Sequence, residues 1–293
     1  MIYPEKFAIR FNCINKRNMK RSLVMFALLL ACMSIGAQTV FKNEEVEVSL
    51  LKEKTWVFST WDHTTMYLIE GEDKAVLIDT GTRCADLDKI VGQITPKPLE
   101  VIVTHMHPDH AGCIKYFDKV WMHRADTVLV AQHAADYKGE FLYMEEGQVF
   151  DLGGRKLEVA WMPGHTPGSV VLLDKANGDC YSGDAFGSGE VWLQCVPMSP
   201  VATFHESCCR MEKLMKEGGI KDIWCGHYPY LKSSLSLAYI QTMIRISHRL
   251  MNGDQEGSEP YSNYFIKMPP TARKLSEGRA MIVYDSTNIP EAR

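Results

Sequence analysis

Directly after the apolar, β-branched run that ends at Val103, the chain reads Thr104-His105-Met106-His107-Pro108-Asp109-His110-Ala111, with three histidines and a carboxylate inside six residues. Neutral imidazoles and carboxylates are ligands for zinc-like divalent ions, and this density supplies more than one ion needs. Three more candidates follow where strands would end: His165 in Met162-Pro-Gly-His-Thr-Pro-Gly168, Asp184 in Tyr181-Ser-Gly-Asp184, and His227 in Ile223-Trp-Cys-Gly-His227. Each is preceded by glycine, and a backbone without Cβ can turn sharply or come close to an ion. Alone, each is an ordinary loop residue, and a His-rich surface loop is the alternative for the first cluster. Together they make seven ligands, enough for two ions with one bridging carboxylate and a bridging water.

With Ile78-Asp79-Thr80-Gly81 ahead of it, this ordered set closely resembles the metallo-β-lactamase-fold hydrolase superfamily, over roughly Trp56 to Tyr228. The resemblance implies an α+β fold: a four-layer αβ/βα sandwich, two mixed sheets face to face with helices on the outer faces and metals at one edge. By motif, His105, His107 and His165 would hold one metal and Asp109, His110 and His227 the other, with Asp184 bridging. The implied cofactors are two divalent ions, zinc foremost, with manganese or iron(II) as alternatives. The Asp109-His110 and Gly183-Asp184 pattern looks more like the glyoxalase II, lactonase and phosphodiesterase side, although one lactamase branch shares Asp-His. Where the lactonases have a Tyr a few residues after the bridging Asp, this chain has Ala185-Phe186-Gly187.

Water at neutral pH is a poor nucleophile, and coordination lowers its pKa to roughly 7, so a bridging hydroxide becomes available without a strong base. Asp109 is the expected catalytic residue, binding metal and orienting the hydroxide through its second oxygen. Asp79 is the expected acceptor for a ligand imidazole N–H, fixing its tautomer; a strand-end turn residue is the alternative. Trp192, Gln194 and Tyr228 follow ligand-bearing segments and, with Tyr143 and His63, are candidates for the substrate pocket. Phe141, Tyr143 and Met144 are placed in a segment that folds over the metals. His123, His133, His205 and His248 lie outside the motifs and receive no role. The expected activity is hydrolysis of a small ester, thioester or lactone. A periplasmic β-lactamase and a small-molecule phosphodiesterase are the enzymatic alternatives, and a metal-binding protein without turnover is the alternative from another class.

At the N-terminus, Met19-Lys20-Arg21 precedes the apolar Ser22–Ala31 and then Ile35-Gly-Ala37-Gln38, which reads as a secretory signal cleaved after Ala37 with its true start at Met19. The apolar run is short for a permanent membrane span. Leu29-Leu-Ala-Cys32 offers a second cleavage site that leaves Cys32 as a lipid anchor. The expectation is an exported protein, periplasmic or secreted. Loss of residues 1–37 removes six basic residues and one acidic one, leaving 26 basic and 35 acidic residues, net about −9. Such an acidic chain repels polyanions, which argues against nucleic acid as partner and for a small-molecule substrate. Seven cysteines remain (Cys84, Cys113, Cys180, Cys195, Cys208, Cys209, Cys225), an odd number without paired spacing, so most are expected to be small buried residues.

Residues 38–293 have the length and composition of one globular domain, 253–293 being a C-terminal extension of it. Alternation and β-branching predict strands near 56–60, 66–70, 75–79 and 100–104, then helix after Asp109, with Pro108 suited to its first position. Asp151-Leu-Gly-Gly154 marks one hairpin, and Lys175-Ala-Asn-Gly178 another between 170–173 and 179–182. Helical periodicity covers 203–217, and again 235–251 with Leu237, Ile240, Ile244 and Leu250 on one face. Residues 253–260 read as an exposed connection, and Tyr261–Phe265 with the pair around Gly278 as added strands.

Overall fold

Strict alternation in an apolar strand splits its side chains between two faces, and several strands here bury both. The computed structural model describes residues 38–263 and 267–290; the expected signal segment 1–37, with Cys32, lies outside them. Eight strands form one sheet in sequence order: β1 (Thr39–Lys42), β2 (Val46–Lys52), β3 (Thr55–Thr60), β4 (Thr65–Glu70), β5 (Ala75–Ile78), β6 (Leu99–Ile102), β7 (Lys119–His123) and β8 (Glu140–Met144). The pairing is antiparallel through β5 and parallel from β5 to β8. A second sheet contains β9 (Val149–Asp151), β10 (Lys156–Trp161), β11 (Val170–Asp174) and β12 (Asp179–Gly183). After the intervening β13 (Glu190–Trp192), β14 (Asp222–Cys225) completes it in the order β14-β12-β11-β10-β9.

The four layers follow from which residues share a core. On β4 and β5, Tyr67, Ile69, Val76 and Ile78 point at the second sheet and meet Leu157, Val159, Val170 and Leu172 of β10 and β11. Their alternates Met66, Leu68, Ala75 and Leu77 point outward. There they pack under α1 (Leu87–Ile94), the one-turn α2 (Pro108–Ala111) and α3 (Thr127–His133). On the far side, Val171 and Leu173 of β11 face Phe204, Cys208 and Met211 of α4 (Val201–Glu217). The same core holds Ile240, Met243, Ile246 and Leu250 of α6 (Leu237–Met251), which follows the one-turn α5 (Tyr228–Leu231). Among the described residues, no helix is long and apolar enough to cross a membrane.

A third, four-stranded sheet departs from the two-sheet expectation. β15 (Glu259–Pro260), β16 (Ala272–Glu277) and β17 (Ala280–Asp285) form it with β13, which pairs parallel to β17. The strands flank Gly278 as the sequence predicts. The strand expected over Tyr261–Phe265 begins instead at Glu259; Tyr261 N–H still donates to the Ala272 carbonyl, but Tyr261–Asn263 is not strand and residues 264–266 lie outside the described set. The helix expected after Asp109 is one turn with Pro108 at its first position, followed by a 3₁₀ turn at Ile114–Tyr116.

Candidate metal centre

Parallel pairing sets loop origins side by side. Ile78 faces Ile102 in the β5/β6 pair and Gly183 faces Cys225 in the β12/β14 pair, so the segments bearing Asp79, His105–His110, Asp184 and His227 leave their sheets at one edge. Main-chain bonds join the sheets there: Val170 N–H donates to the Thr104 carbonyl at 3.0 Å and Thr65 N–H to the Gly226 carbonyl at 2.7 Å. Two glycines have steric reasons to be there. A Cβ on Gly226 would lie 2.4 Å from Asp184 Oδ1, and one on Gly183, which has φ +47°, would lie 2.1 Å from Thr104 Oγ1.

The ligand candidates gather into two groups, His105/His107/His165 and Asp109/His110/Asp184/His227, with the ligand atoms of each group within 4.8 Å of one another. Asp184 faces both: its Oδ2 is 3.9 Å from His165 Nε2 and 3.2 Å from His227 Nε2, and its Oδ1 is 3.5 Å from His110 Nε2. Asp109 Oδ2 lies 3.5 Å from both His110 Nε2 and His227 Nε2. Its side chain is 33% exposed against 14% for Asp184, so Asp109 is the carboxylate a substrate meets first.

Whether these residues fit metal is tested by their unused atoms. Buried polar atoms almost always find a partner, yet His105 Nε2, His110 Nε2 and Asp184 Oδ1 have no hydrogen-bond partner. The opposite ring nitrogens are engaged. His110 Nδ1 is 2.8 Å from Asp79 Oδ2, and Asp79 also accepts from Thr104 N–H at 2.7 Å and Thr104 O–H at 2.9 Å. With the Thr104 proton committed to Asp79, its oxygen is left to accept from His105 Nδ1 at 3.2 Å. His165 Nδ1 donates to the Trp192 carbonyl at 2.8 Å, leaving Nε2 2.9 Å from His107 Nδ1. Holding one ring nitrogen by an outer acceptor and turning the other inward is what metal-ligating histidines require. The donor set therefore fits two divalent ions. His227 differs, since its Nδ1 is buried without a partner.

The two groups carry opposite charge states. Burial, then repulsion from His110, His107 and His165, holds His105 well below the imidazole range. Burial and the neighbouring His165 push His107 down to about 3, and burial lowers His165. Those three rings are neutral, with lone pairs available. Burial would also lower His110 and His227, but the carboxylates of Asp184 and Asp109 outweigh it, raising His110 well above its ordinary value and His227 to about 10. In return the imidazoles overcome the desolvation of Asp109 and Asp184 and keep both ionised.

The sequence reading missed Asp126. This buried carboxylate accepts from Met106 N–H at 2.9 Å and Thr166 O–H at 3.0 Å on Oδ2, and from Gly168 N–H at 2.5 Å on Oδ1, tying the loop of His105 and His107 to that of His165. Burial pushes its pKa up to about 6 despite three donors. His133 at the end of α3 was also passed over, and its ring stands edge-on to His107 at 5.9 Å.

The candidate pocket residues divide. Trp192 borders the centre through its carbonyl, while its indole N–H donates to Glu190 and its ring meets Tyr261. Tyr228 packs its ring on Trp224 and donates its N–H to Thr65 Oγ1. His63 packs against Tyr230, whose ring lies 6.1 Å from that of His227. Gln194 keeps a buried, unpaired Oε1. Tyr143 requires a correction: the segment read as a cover over the metals is β8, paired in register with β7. There Tyr143 packs toward the helix-side core, with the Arg124 guanidinium 4.0 Å above its ring.

The family model described as the metallo-beta-lactamase superfamily matches residues 59–207, half of the chain. The chain belongs to that superfamily. An acyl-coenzyme A thioesterase of Homo sapiens is 25% identical to this superfamily member over 210 residues, 58% of this chain and 75% of the relative. A hydroxyacylglutathione hydrolase of Francisella philomiragia is 24% identical over 191 residues, 64% of this chain and 71% of the relative. Among solved structures, the metallo-beta-lactamase from Pontibacter korlensis superposes with a TM-score of 0.57 at 18% identity, covering 70% of this chain and 99% of that one. At that identity the likeness speaks for the fold, and it agrees with the α+β sandwich described above.

Proposed function

We propose that this superfamily member is an exported two-metal hydrolase acting on a small ester, thioester or lactone, with acyl thioesters the first class to test. The observation that carries the reading is the convergence, at one sheet edge, of the buried and unpartnered Nε2 atoms of His105 and His110 and Oδ1 of Asp184, with each of the two rings held by an outer hydrogen bond on its opposite nitrogen. Thioesters come first because two similar proteins are named for acyl groups carried on coenzyme A and on glutathione. Export rests on the charged and apolar segments within residues 1–37, and exclusion of nucleic acid on the acidic mature chain.

His105, His107 and His165 would hold one ion, and Asp109, His110 and His227 the other, with Asp184 between them. Zinc is the favoured ion, with manganese and iron(II) as alternatives. When bound, the ions would supply an activated water at neutral pH and polarise the scissile carbonyl. The chain does the rest. Asp109, the more exposed of the two carboxylates, offers its oxygen to accept a proton from the attacking water and hold it in line with the substrate. Asp79 fixes the tautomer of His110 through Nδ1, and Thr104 does the same for His105. Asp126 sets the spacing between the loops that carry the first ligand group.

The test is a panel of an acyl-coenzyme A, an acyl-glutathione, a homoserine lactone, nitrocefin and bis-nitrophenyl phosphate, each with and without chelator. Chelator-sensitive turnover of the thioesters or the lactone is expected. Nitrocefin turnover alone would move the chain to the β-lactamases, and phosphodiester turnover alone to the phosphodiesterases. No turnover with metal restored would leave a metal-binding protein without catalysis.

A further inference from the structure

Away from the His/Asp centre, α4 and α6 bring a cysteine and two histidines to the surface. His205 and Cys209 stand one helical turn apart on α4, with Cys209 Sγ 3.5 Å from His205 Nε2. Across the helix pair, His205 Nδ1 is 2.9 Å from Ser247 Oγ, and the His248 ring centroid is 5.8 Å from that of His205. Cys209 and His248 are exposed and His205 is half-buried.

The hydrogen-bond order fixes which atom faces the cysteine. The single Ser247 proton goes back along α6 to the Met243 carbonyl at 2.7 Å, with the Ile244 carbonyl at 3.1 Å. Its oxygen therefore accepts from His205, which places the ring proton on Nδ1 and leaves the Nε2 lone pair aimed at Cys209 Sγ. This is the arrangement that prepares a histidine for metal, with an outer acceptor on one nitrogen and a free lone pair on the other. Two soft or borderline donors at i and i+4 on a helix make a chelate of the kind used by helical zinc motifs. Burial and the nearby Glu212 and Glu206 raise the Cys209 thiol, so without metal it keeps its proton and donates to His205 instead of acting as a nucleophile. Among the described residues the His248 ring nitrogens meet Asn252 Nδ2, at 3.3–3.4 Å, and a turn of this exposed side chain would supply the pair with a third donor.

We propose that His205, Cys209 and His248 form a third metal site, for zinc or another borderline-to-soft ion, independent of the His/Asp centre. On binding, a bond forms from the ion to Cys209 Sγ and the thiol proton leaves to solvent. Nothing in the hydrolytic chemistry requires this ion.

Cobalt(II) titration of the metal-free protein tests it, because the His/Asp ligand sets contain no sulfur. A third equivalent is expected, accompanied by a near-ultraviolet sulfur-to-cobalt charge-transfer band. Cys209→Ser should lose the band and one equivalent while retaining hydrolysis and the other two ions, and His248→Gln should weaken the third site at least tenfold. No charge-transfer band, or a band that survives Cys209→Ser, would overturn the proposal, the second outcome pointing to another cysteine. Full affinity in His248→Gln would remove His248 from the site and reduce it to a two-donor adventitious contact, which also contradicts the proposal. Failure of the hydrolase reading leaves the band and its dependence on Cys209 untouched, so the two claims fail separately.

Discussion

Asp109→Asn keeps the size of the side chain and removes its charge and one of its two acceptor oxygens. Because Asp109 is the ligand-group carboxylate most open to solvent, turnover should fall by about 10²–10⁴-fold, the range for a lost acid–base group, with the fold intact by circular dichroism. Unchanged kinetics would remove Asp109 from the mechanism. Gly226→Ala tests the packing beneath the ligands: a methyl 2.4 Å from Asp184 Oδ1 and 2.5 Å from His110 Cε1 must displace one of them. Metal content at the His/Asp centre should drop from two ions to one, and two retained ions would contradict the placement. The opposite charge states of the two groups give a pH prediction. His110 and His227 hold protons at neutral pH, His227 up to about 10, and an entering ion must displace them. Affinity at that group should therefore rise with pH from neutrality toward about 10. His105, His107 and His165 are pushed the other way and take an ion without releasing protons near neutrality. Calorimetry in buffers of different ionisation heat should find proton release confined to one of the two steps; its absence from both would contradict the assignment.

At the scale of elements, Asp126 is the part the ligands depend on without touching an ion. It sits on the 3₁₀ turn Arg124–Asp126 between β7 and α3 and holds two ligand loops together. Asp126→Ala strands three donors, at about 1–3 kcal/mol for each that stays buried, and should lower both urea stability and zinc affinity. A variant as stable and as tightly metallated as the parent would show the loops to be held elsewhere. The ligand segments were legible because the first packs four candidates into His105–His110 and each of the other three follows a glycine. Asp126 was not, since Met106, Thr166 and Gly168 meet it only after folding. Strands β3 to β6, the hairpin at Asn177-Gly178, and helices α4 and α6 were legible because apolar periodicity runs through all of them. β1 and β8 are the two end strands of the eight-stranded sheet, where exposed and half-exposed side chains blur the alternation. That blurring made β8 read as a loop over the metals and put Tyr143 in the pocket.

For the whole molecule, two sheets back to back place parallel strand ends from each at a common edge, and main-chain bonds lock that edge where the ligands converge. Folding thus assembles from distant segments a centre that no single element contains, and bound metal should in turn stabilise the fold by mass action. The most direct test of the account is zinc titration into metal-free protein comprising residues 38–293, while following hydrolysis of an acyl thioester. The account predicts no activity without metal and a rise that levels off at two equivalents, a further equivalent at Cys209 leaving the rate unchanged. Activity that persists without metal, or that is complete at one equivalent, would contradict a two-ion hydrolase.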